Sequence, residues 1–329
     1  MKLKHTAFLL FLAFVFLCLF GILSKILDTR IVNKINDREI SWGIGWNKHI
    51  SQYSGSELGF TMENSPTLSF EIQSDSMADQ GLQIFIDNTP NTLNLPLTKP
   101  NIKKLTLNID KKKSHVVSLR YFCTYLYHPC TITLNGIYAE GQARLLPYEV
   151  NKKIVSILGD SVSTIYGQKN YSFKLADNLG FQLHNASILG STVSKVDGMD
   201  SAINRYTKDL EPFKSDITIV FLGTNDVGNN VPTDIFEHDY SKIVKDIKDF
   251  NHNGKLFLVG PLYRRDIQMN VLENYNNIIK KIAEEQHLYF IETLNWLSPD
   301  DFSDAIHPSV ESQDKIASHF YSAISAYLK

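Results

Sequence analysis

Ile154-Val155-Ser156-Ile157-Leu158-Gly159-Asp160-Ser161 is the stretch on which the fold turns. Residues 154–158 are an apolar run of strand length, the pattern of a parallel strand buried on both faces. Residues 217–222 and 256–259 repeat it. Helical patterns lie between and after these runs. Thr233 or Asp234 caps a helix running toward Phe250, which Asn253-Gly254 stops. Leu272, Tyr275, Ile278, Ile279 and Ile282 share one face of a helix over 270–286. A last helix covers about 313–327. Alternating strands and helices imply a parallel sheet with helices on both sides, and such a sheet places its ligand site at the carboxyl ends of its strands.

Upstream of Pro147 the texture is different. Residues 68–72, 83–86, 104–109, 116–121 and 131–134 are short runs rich in β-branched, aromatic or alternating apolar residues, separated by turn formers such as Asp87-Asn88 and Asn135-Gly136. This spacing predicts a β-sandwich or jelly roll. The expected division is therefore a membrane or signal segment at 1–24, a linker at 25–40, a β-sandwich at 41–147 and an α/β domain at 148–329. The length of 329 residues is consistent with two domains. With 33 basic and 35 acidic residues the formal charge is −2, which excludes a generally basic nucleic-acid binder.

At the N-terminus, Lys2, Lys4 and His5 precede an uncharged apolar run over 7–23, roughly 26 Å long as a helix. A cleaved signal peptide and an uncleaved anchor compete. The lack of a small-x-small site after Phe20 favours the anchor. Cys18 follows Phe16 and Leu17 rather than the small residue of a lipoprotein site. Lys25, Arg30, Lys34 and Arg38 do not favour export by local count, but long domains translocate despite such charges. Cys123 and Cys130 flank residues 124–129, a turn that would allow a disulfide. Two ordinary thiols are the equal alternative. The balance is a membrane-anchored protein facing outward, or a secreted one if the segment is cleaved.

The chemistry-bearing residues follow the buried runs. Gly159-Asp160-Ser161 ends the first, Gly223-Thr224-Asn225-Asp226 the second, and Asp304-Ala305-Ile306-His307-Pro308 folds back near the C-terminus. A serine hydroxyl needs a base within hydrogen-bond reach and an orienting group behind that base. His307 and Asp304 fit those roles for Ser161. The Ser161 and Gly190 amides and the Asn225 side chain are candidate oxyanion donors. No dinucleotide loop, phosphate loop or zinc spacing is present, so no cofactor and no metal is expected. Trp42, Trp46 and Tyr53 suit sugar stacking, with core packing the favoured use. His49, His184 and His252 read as surface or ordinary polar positions, and Lys111-Lys112-Lys113 as a solvated turn.

This set resembles the SGNH (GDSL-like) hydrolase superfamily from about Lys153 to the end of the chain. Gly159–Ser161, Gly190, Gly223–Asp226 and Asp304–His307 match its four blocks in order. The resemblance implies a flavodoxin-like α/β/α fold and a metal-free acyl-transfer site. Ser161 would be the nucleophile, His307 the base and Asp304 its partner, with Gly190 and Asn225 beside the Ser161 amide as oxyanion donors. A second resemblance, to carbohydrate esterase family 2, rests on His115–Arg120, Ile132–Gly136 and the lead into Gly159–Gly167. It implies a jelly roll joined to an SGNH domain and removal of acetyl groups from polysaccharides. Ile165 stands where that family often has glycine. Asp304 is present although members often lack the triad acid. The expected function is a serine esterase acting on an acylated glycan. An O-acyltransferase, a lipid esterase or thioesterase, and a non-catalytic glycan-binding module are the alternatives.

Overall fold

A computed structural model describes residues 32–34, 40–74, 80–95, 101–110, 113–124, 131–141, 143–148 and 153–328. The expected apolar segment at 7–23, Cys130, the turn at 125–129 and Lys111-Lys112 lie outside the described residues. Among the described residues no helix is long and apolar enough to cross a membrane.

Five parallel strands form the sheet of the second half. In chain order they are Ile154–Gly159, Gln182–Asn185, Ile217–Phe221, Lys255–Val259 and Tyr289–Ile291. Their spatial order is 2-1-3-4-5, the flavodoxin-like doubly wound order, which reverses direction between the first and third strands. Side chains alternate between two cores. Val155, Ile157, Ile219 and Phe257 face one, with Tyr171, Phe173 and Phe320 of the helices Tyr171–Leu179 and Gln313–Ser325. Leu158, Val220 and Leu258 face the other, with Phe236, Tyr240 and Ile279 of the helices Thr233–Phe250 and Met269–Gln286. This gives three layers, α/β/α. Tyr171 stacks on Phe320 at 5.0 Å between ring centroids, and Phe320 meets Phe221 edge-on. Truncating a ring so enclosed costs about 3–5 kcal/mol.

Two details differ from the sequence expectation. The helix Thr233–Phe250 is preceded by Pro232, and neither Thr233 nor Asp234 caps it with a side chain. The Pro232 carbonyl accepts the Phe236 amide as the first bond of the helix, and proline's fixed φ suits the chain entering it. The helix Tyr171–Leu179 was not anticipated, although Asn170 accepts the Ser172 amide at its start and Gly180 ends it at φ +68°.

The first half forms two six-stranded antiparallel sheets. One runs Trp46–Asn47, Ile50–Ser51, Ile132–Glu140, Thr67–Ser74, Asn101–Asn108; the other runs Arg144–Pro147, Glu57–Glu63, His115–Cys123, Gln80–Ile86, Thr89–Leu95. Val32–Lys34 joins the first sheet and Ser41–Trp42 the second. Phe70, Ile72 and Leu134 from one sheet and Phe60, Ile84 and Leu119 from the other share a single apolar core, the arrangement of a sandwich. Asp87-Asn88 makes the hairpin turn with φ of 51° and 64°. Asn135-Gly136 does not turn. It lies within Ile132–Glu140, where the register shifts between Leu134 and Gly136, so the glycine marks a bulge in a continuous strand. Trp42 and Trp46 pack against the sandwich core.

The two halves are joined along the outer strand of the parallel sheet. Ser54 pairs antiparallel with Asn185, covering an edge that would otherwise expose unpaired backbone. Phe122 of the sandwich enters the core of the α/β half. Arg120, buried beside Glu57, reaches Asp177 at 2.7 Å. Cys123 is disulfide-bonded, and the other two cysteines lie outside the described residues.

Candidate active site

The site forms where the strand order reverses. Strand Ile154–Gly159 ends in a tight turn, Ser161–Ser163, whose first residue is the candidate nucleophile. Gly159 is required by close packing: a Cβ there would sit 2.6 Å from Ser163 Oγ and 2.8 Å from Ser187 Oγ. Asp160 caps the turn by accepting the Val162 amide at 2.9 Å. Burial pushes the Asp160 carboxyl up to about 7, against the Val162 hydrogen bond and the nearby His307.

His307 arrives on the returning loop. Its Nε2 lies 3.0 Å from Ser161 Oγ, and its Nδ1 lies 2.8 Å from Asp304 Oδ2. The second Asp304 oxygen accepts the backbone amides of Ile306 and His307, both at 2.7 Å. Partial burial opposes ionisation of Asp304, but these amides and the imidazole outweigh it and hold the carboxyl down at about 2. The loop is closed by Ser303 N donating to His307 O at 2.9 Å. Arg265 donates its side chain to the Asp304 carbonyl, and Tyr166 donates to Pro308 O at 3.1 Å.

The remaining candidates sit on two flanking loops. Gly190 adopts φ +73°, a conformation glycine reaches without strain. Among the described residues neither the Ser161 nor the Gly190 amide donates to another protein group. Asn225 donates one side-chain hydrogen to Ser191 O at 3.0 Å, which orients the amide and leaves its second hydrogen to donate elsewhere. The Gly190 loop is tied to the strand ends by Ile188 N donating to Gly159 O at 3.2 Å. Among the described residues no three His, Cys, Asp or Glu side chains gather as a metal site.

Three supporting residues were not singled out from the sequence. Buried Asp226 accepts the amides of Val193 (2.8 Å to one oxygen) and Ser194 (3.1 Å), joining the Gly190 loop to the Asn225 turn. Burial pushes its carboxyl up to about 6. Arg205 donates to Ala186 O at 2.6 Å and to Ser191 Oγ at 2.9 Å, bracing the same loop. Arg264 donates to Thr224 O at 2.6 Å while paired with Asp266. Only Asp226 carried a signal, since it belongs to the Gly223–Asp226 block; lone arginines far along the chain offer none.

Two aromatic and histidine expectations also resolve. Tyr53 lies at the junction of the two halves with its ring against His184 and Phe213. His184 is not a surface group: it is buried, bonds Ser156 Oγ at 2.8 Å, and is driven down to about 3 by desolvation.

A doubly wound α/β sheet with a serine, histidine and aspartate aligned at its reversal point defines a hydrolase-type acyl-transfer architecture. Residues 157–315 match the model of the GDSL-like lipase/acylhydrolase family, in keeping with the resemblance of this region to the SGNH superfamily. No curated protein matches the sequence. Among solved structures, a family two carbohydrate esterase from Cellvibrio japonicus superposes with TM-score 0.72 at 17% identity, over 91% of this chain and 98% of that one. A family two carbohydrate esterase from Clostridium thermocellum, in complex with cellohexaose, gives TM-score 0.70 at 15% identity over 90% and 99%. A salicylyl-acyltransferase from a tetracycline biosynthetic pathway gives 0.72 at 13% over 91% and 97%. These likenesses establish the shared fold of both halves, and the arrangement resembles that of the family two esterases.

Proposed function

We propose that this chain is a serine esterase that removes O-acetyl or other short acyl groups from a carbohydrate or cell-envelope glycan. The observation that carries the reading is the unbroken line Ser161 Oγ, His307, Asp304, at 3.0 and 2.8 Å. In this mechanism His307 Nε2 takes the hydroxyl proton as Ser161 attacks the ester carbonyl. Asp304 fixes the tautomer that leaves Nε2 free to accept, and it stabilises the imidazolium. The Ser161 and Gly190 amides and Asn225 Nδ2 receive the developing oxyanion. His307 returns the proton to the leaving alkoxide. Water, activated by His307, then cleaves the acyl-enzyme.

An O-acyltransferase would use the same acyl-enzyme with a sugar hydroxyl as acceptor. Transfer requires that water be kept away from the intermediate. Here the His307 side chain is 26% and the Asp304 side chain 55% exposed, which supports hydrolysis.

We place the enzyme outside the cytoplasm, anchored or released at the 7–23 segment, with a linker at 25–40, a jelly-roll domain at 41–147 and the catalytic domain at 148–329. The disulfide at Cys123 supports an oxidising compartment.

The test is hydrolysis of p-nitrophenyl acetate, butyrate and octanoate by the protein and by Ser161→Ala. Serine-dependent rates that fall with chain length support a deacetylase. A preference for octanoate moves the substrate class to lipids. No serine-dependent turnover of any ester favours a transferase that demands its own acceptor, or a binding module.

A further inference from the structure

Tyr166 follows the nucleophile turn in the left-handed region, at φ +69° and ψ 6°. A residue with a side chain enters that region at a cost, and such conformations persist where the surroundings hold them. Here the holding bonds are identifiable. Ile165 N donates to Ser161 O at 2.9 Å, and Lys169 N donates to Tyr166 O at 3.1 Å. Buried Asn170 donates its side-chain amide to Val162 O and to Ile165 O, both at 2.9 Å. Gly167 lies so close to Phe122 of the sandwich that a Cβ there would sit 2.9 Å from the ring. The chain over 161–167 is therefore one braced unit.

The histidine loop has no such bracing of its own toward Ser161. Ser303 and Asp304 are exposed and residues 305–307 half-buried. The Asp304 bonds to the Ile306 and His307 amides fix the shape of the loop, not its distance from the nucleophile. Arg265 N ties Ala305 O at 2.9 Å from the other side. Among the described residues, the hydrogen bonds that cross from 161–167 to 303–308 are the Ser161–His307 contact and those of Tyr166. The Tyr166 hydroxyl donates to Pro308 O at 3.1 Å and lies 3.2 Å from Ser303 Oγ. Ser303 in turn holds the His307 carbonyl, by its amide at 2.9 Å and its hydroxyl at 3.1 Å. The phenol thus grips the loop on both sides of the imidazole. Its one proton is committed to Pro308 O, so it acts through the loop rather than on the ester.

We infer that Tyr166 is a positioning residue for His307: its hydroxyl links the braced nucleophile turn to the exposed histidine loop and sets the reach of Nε2 to Ser161 Oγ. The inference rests on the proposed role of Ser161 as nucleophile and His307 as base. It explains why a tyrosine is held in a backbone conformation that favours glycine.

Tyr166→Phe removes the hydroxyl and keeps the ring. Two rates test it on the full chain: hydrolysis of p-nitrophenyl acetate, and labelling by a fluorophosphonate, in which Ser161 Oγ displaces fluoride from phosphorus and His307 takes the proton. Labelling reports the activated nucleophile without any ester. Tyr166→Phe slows both about tenfold to a hundredfold, the scale of a misplacement of about 1 Å, with KM and Tm close to the parent. In a His307→Ala background the same substitution costs nothing further, because the hydroxyl acts through the imidazole. If Tyr166→Phe melts well below the parent, Ser303→Ala, which removes an exposed hydroxyl, is judged by the same criteria. The proposal is overturned if the variant keeps the parental rates, if it raises KM with kcat unchanged, if it costs as much without His307 as with it, or if the parent labels no faster than His307→Ala. Labelling that depends on Tyr166 and His307 without ester turnover upholds the positioning role and refutes the esterase. Ester turnover that ignores Tyr166 refutes the positioning role alone.

Discussion

Asp304 holds His307 twice, by the imidazole Nδ1 at 2.8 Å through one oxygen and by the backbone amide at 2.7 Å through the other. One carboxylate therefore sets both the shape of the loop and the orientation of the ring it carries. Its low pKa of about 2 means that it stays ionised throughout the neutral range, ready to face an imidazolium. The shift is downward, so the stability it contributes is present above the ordinary carboxylate value and is lost as pH falls from about 4 toward 2.

Ser161→Ala and His307→Ala should each lower kcat on an activated acetate ester by about 10⁴–10⁶, because nucleophile and base act as one unit. The double variant should be no slower than the worse single one. Retention of a tenth of the activity in either single variant contradicts the assignment.

Asp304 should matter less than its partners. The loss on replacing a buried triad acid by asparagine is about 10⁴ in kcat, but more than half of the Asp304 side chain faces solvent, where water can partly replace it. Asp304→Asn should therefore cost clearly less than that figure, and Asp304→Ala more than Asp304→Asn, since alanine also frees the Ile306 and His307 amides. Steady-state kinetics that rank alanine as the milder change would exclude a loop-holding role.

The legible parts of this molecule are those where one residue type is forced by local chemistry. The mainly apolar strands revealed the parallel sheet because burial on both faces admits few polar residues, the exceptions such as Ser156 being hydrogen-bonded, and Ser161, Asn225, Asp304 and His307 stood out because they follow such strands or form a short spaced pair. Asn135-Gly136 misled for the opposite reason: glycine serves a turn and a bulge equally well, and only the partner strands decide. Strand Glu57–Glu63 escaped notice although Leu58, Phe60 and Met62 alternate with polar or small residues; its pattern is broken up by Gly59 and by Glu57, a charge that only its buried pairing with Arg120 explains. Arg205, Arg264 and Tyr166 act through backbone carbonyls distant in sequence, and no spacing rule points to such contacts.

Asn225→Ala should lower kcat by about 10²–10³ with little change in KM, the usual result of removing one oxyanion donor. Its bond to Ser191 O is partly exposed, so the variant should melt close to the parent. An unchanged kcat would remove Asn225 from the oxyanion hole.

Asp226 predicts a stability effect instead. Its carboxylate accepts two buried backbone amides, and Asp226→Ala leaves both without a partner. At about 1–3 kcal/mol for each orphaned group, unfolding free energy should fall by about 2–6 kcal/mol. Urea denaturation should show a lower midpoint at constant slope. A midpoint equal to that of the parent would mean that water enters to satisfy both amides.

Asp160 predicts the pH course of stability. Its folded pKa, near 7, lies above the ordinary carboxylate value because the group is buried with a single amide donor. Below about pH 4 the folded and unfolded chains both carry the proton, and the stabilising difference is fully present. As pH rises toward 7 the unfolded chain releases its proton first, and stability declines until the folded group ionises as well. Asp160→Asn keeps an oxygen for the Val162 amide and cannot ionise. Thermal melts of parent and variant should therefore separate as pH rises from 5 to 8, with the variant gaining Tm relative to the parent at the alkaline end. A Tm difference that stays constant across that range would show that Asp160 ionises freely in the folded protein, and burial would not then be what governs it.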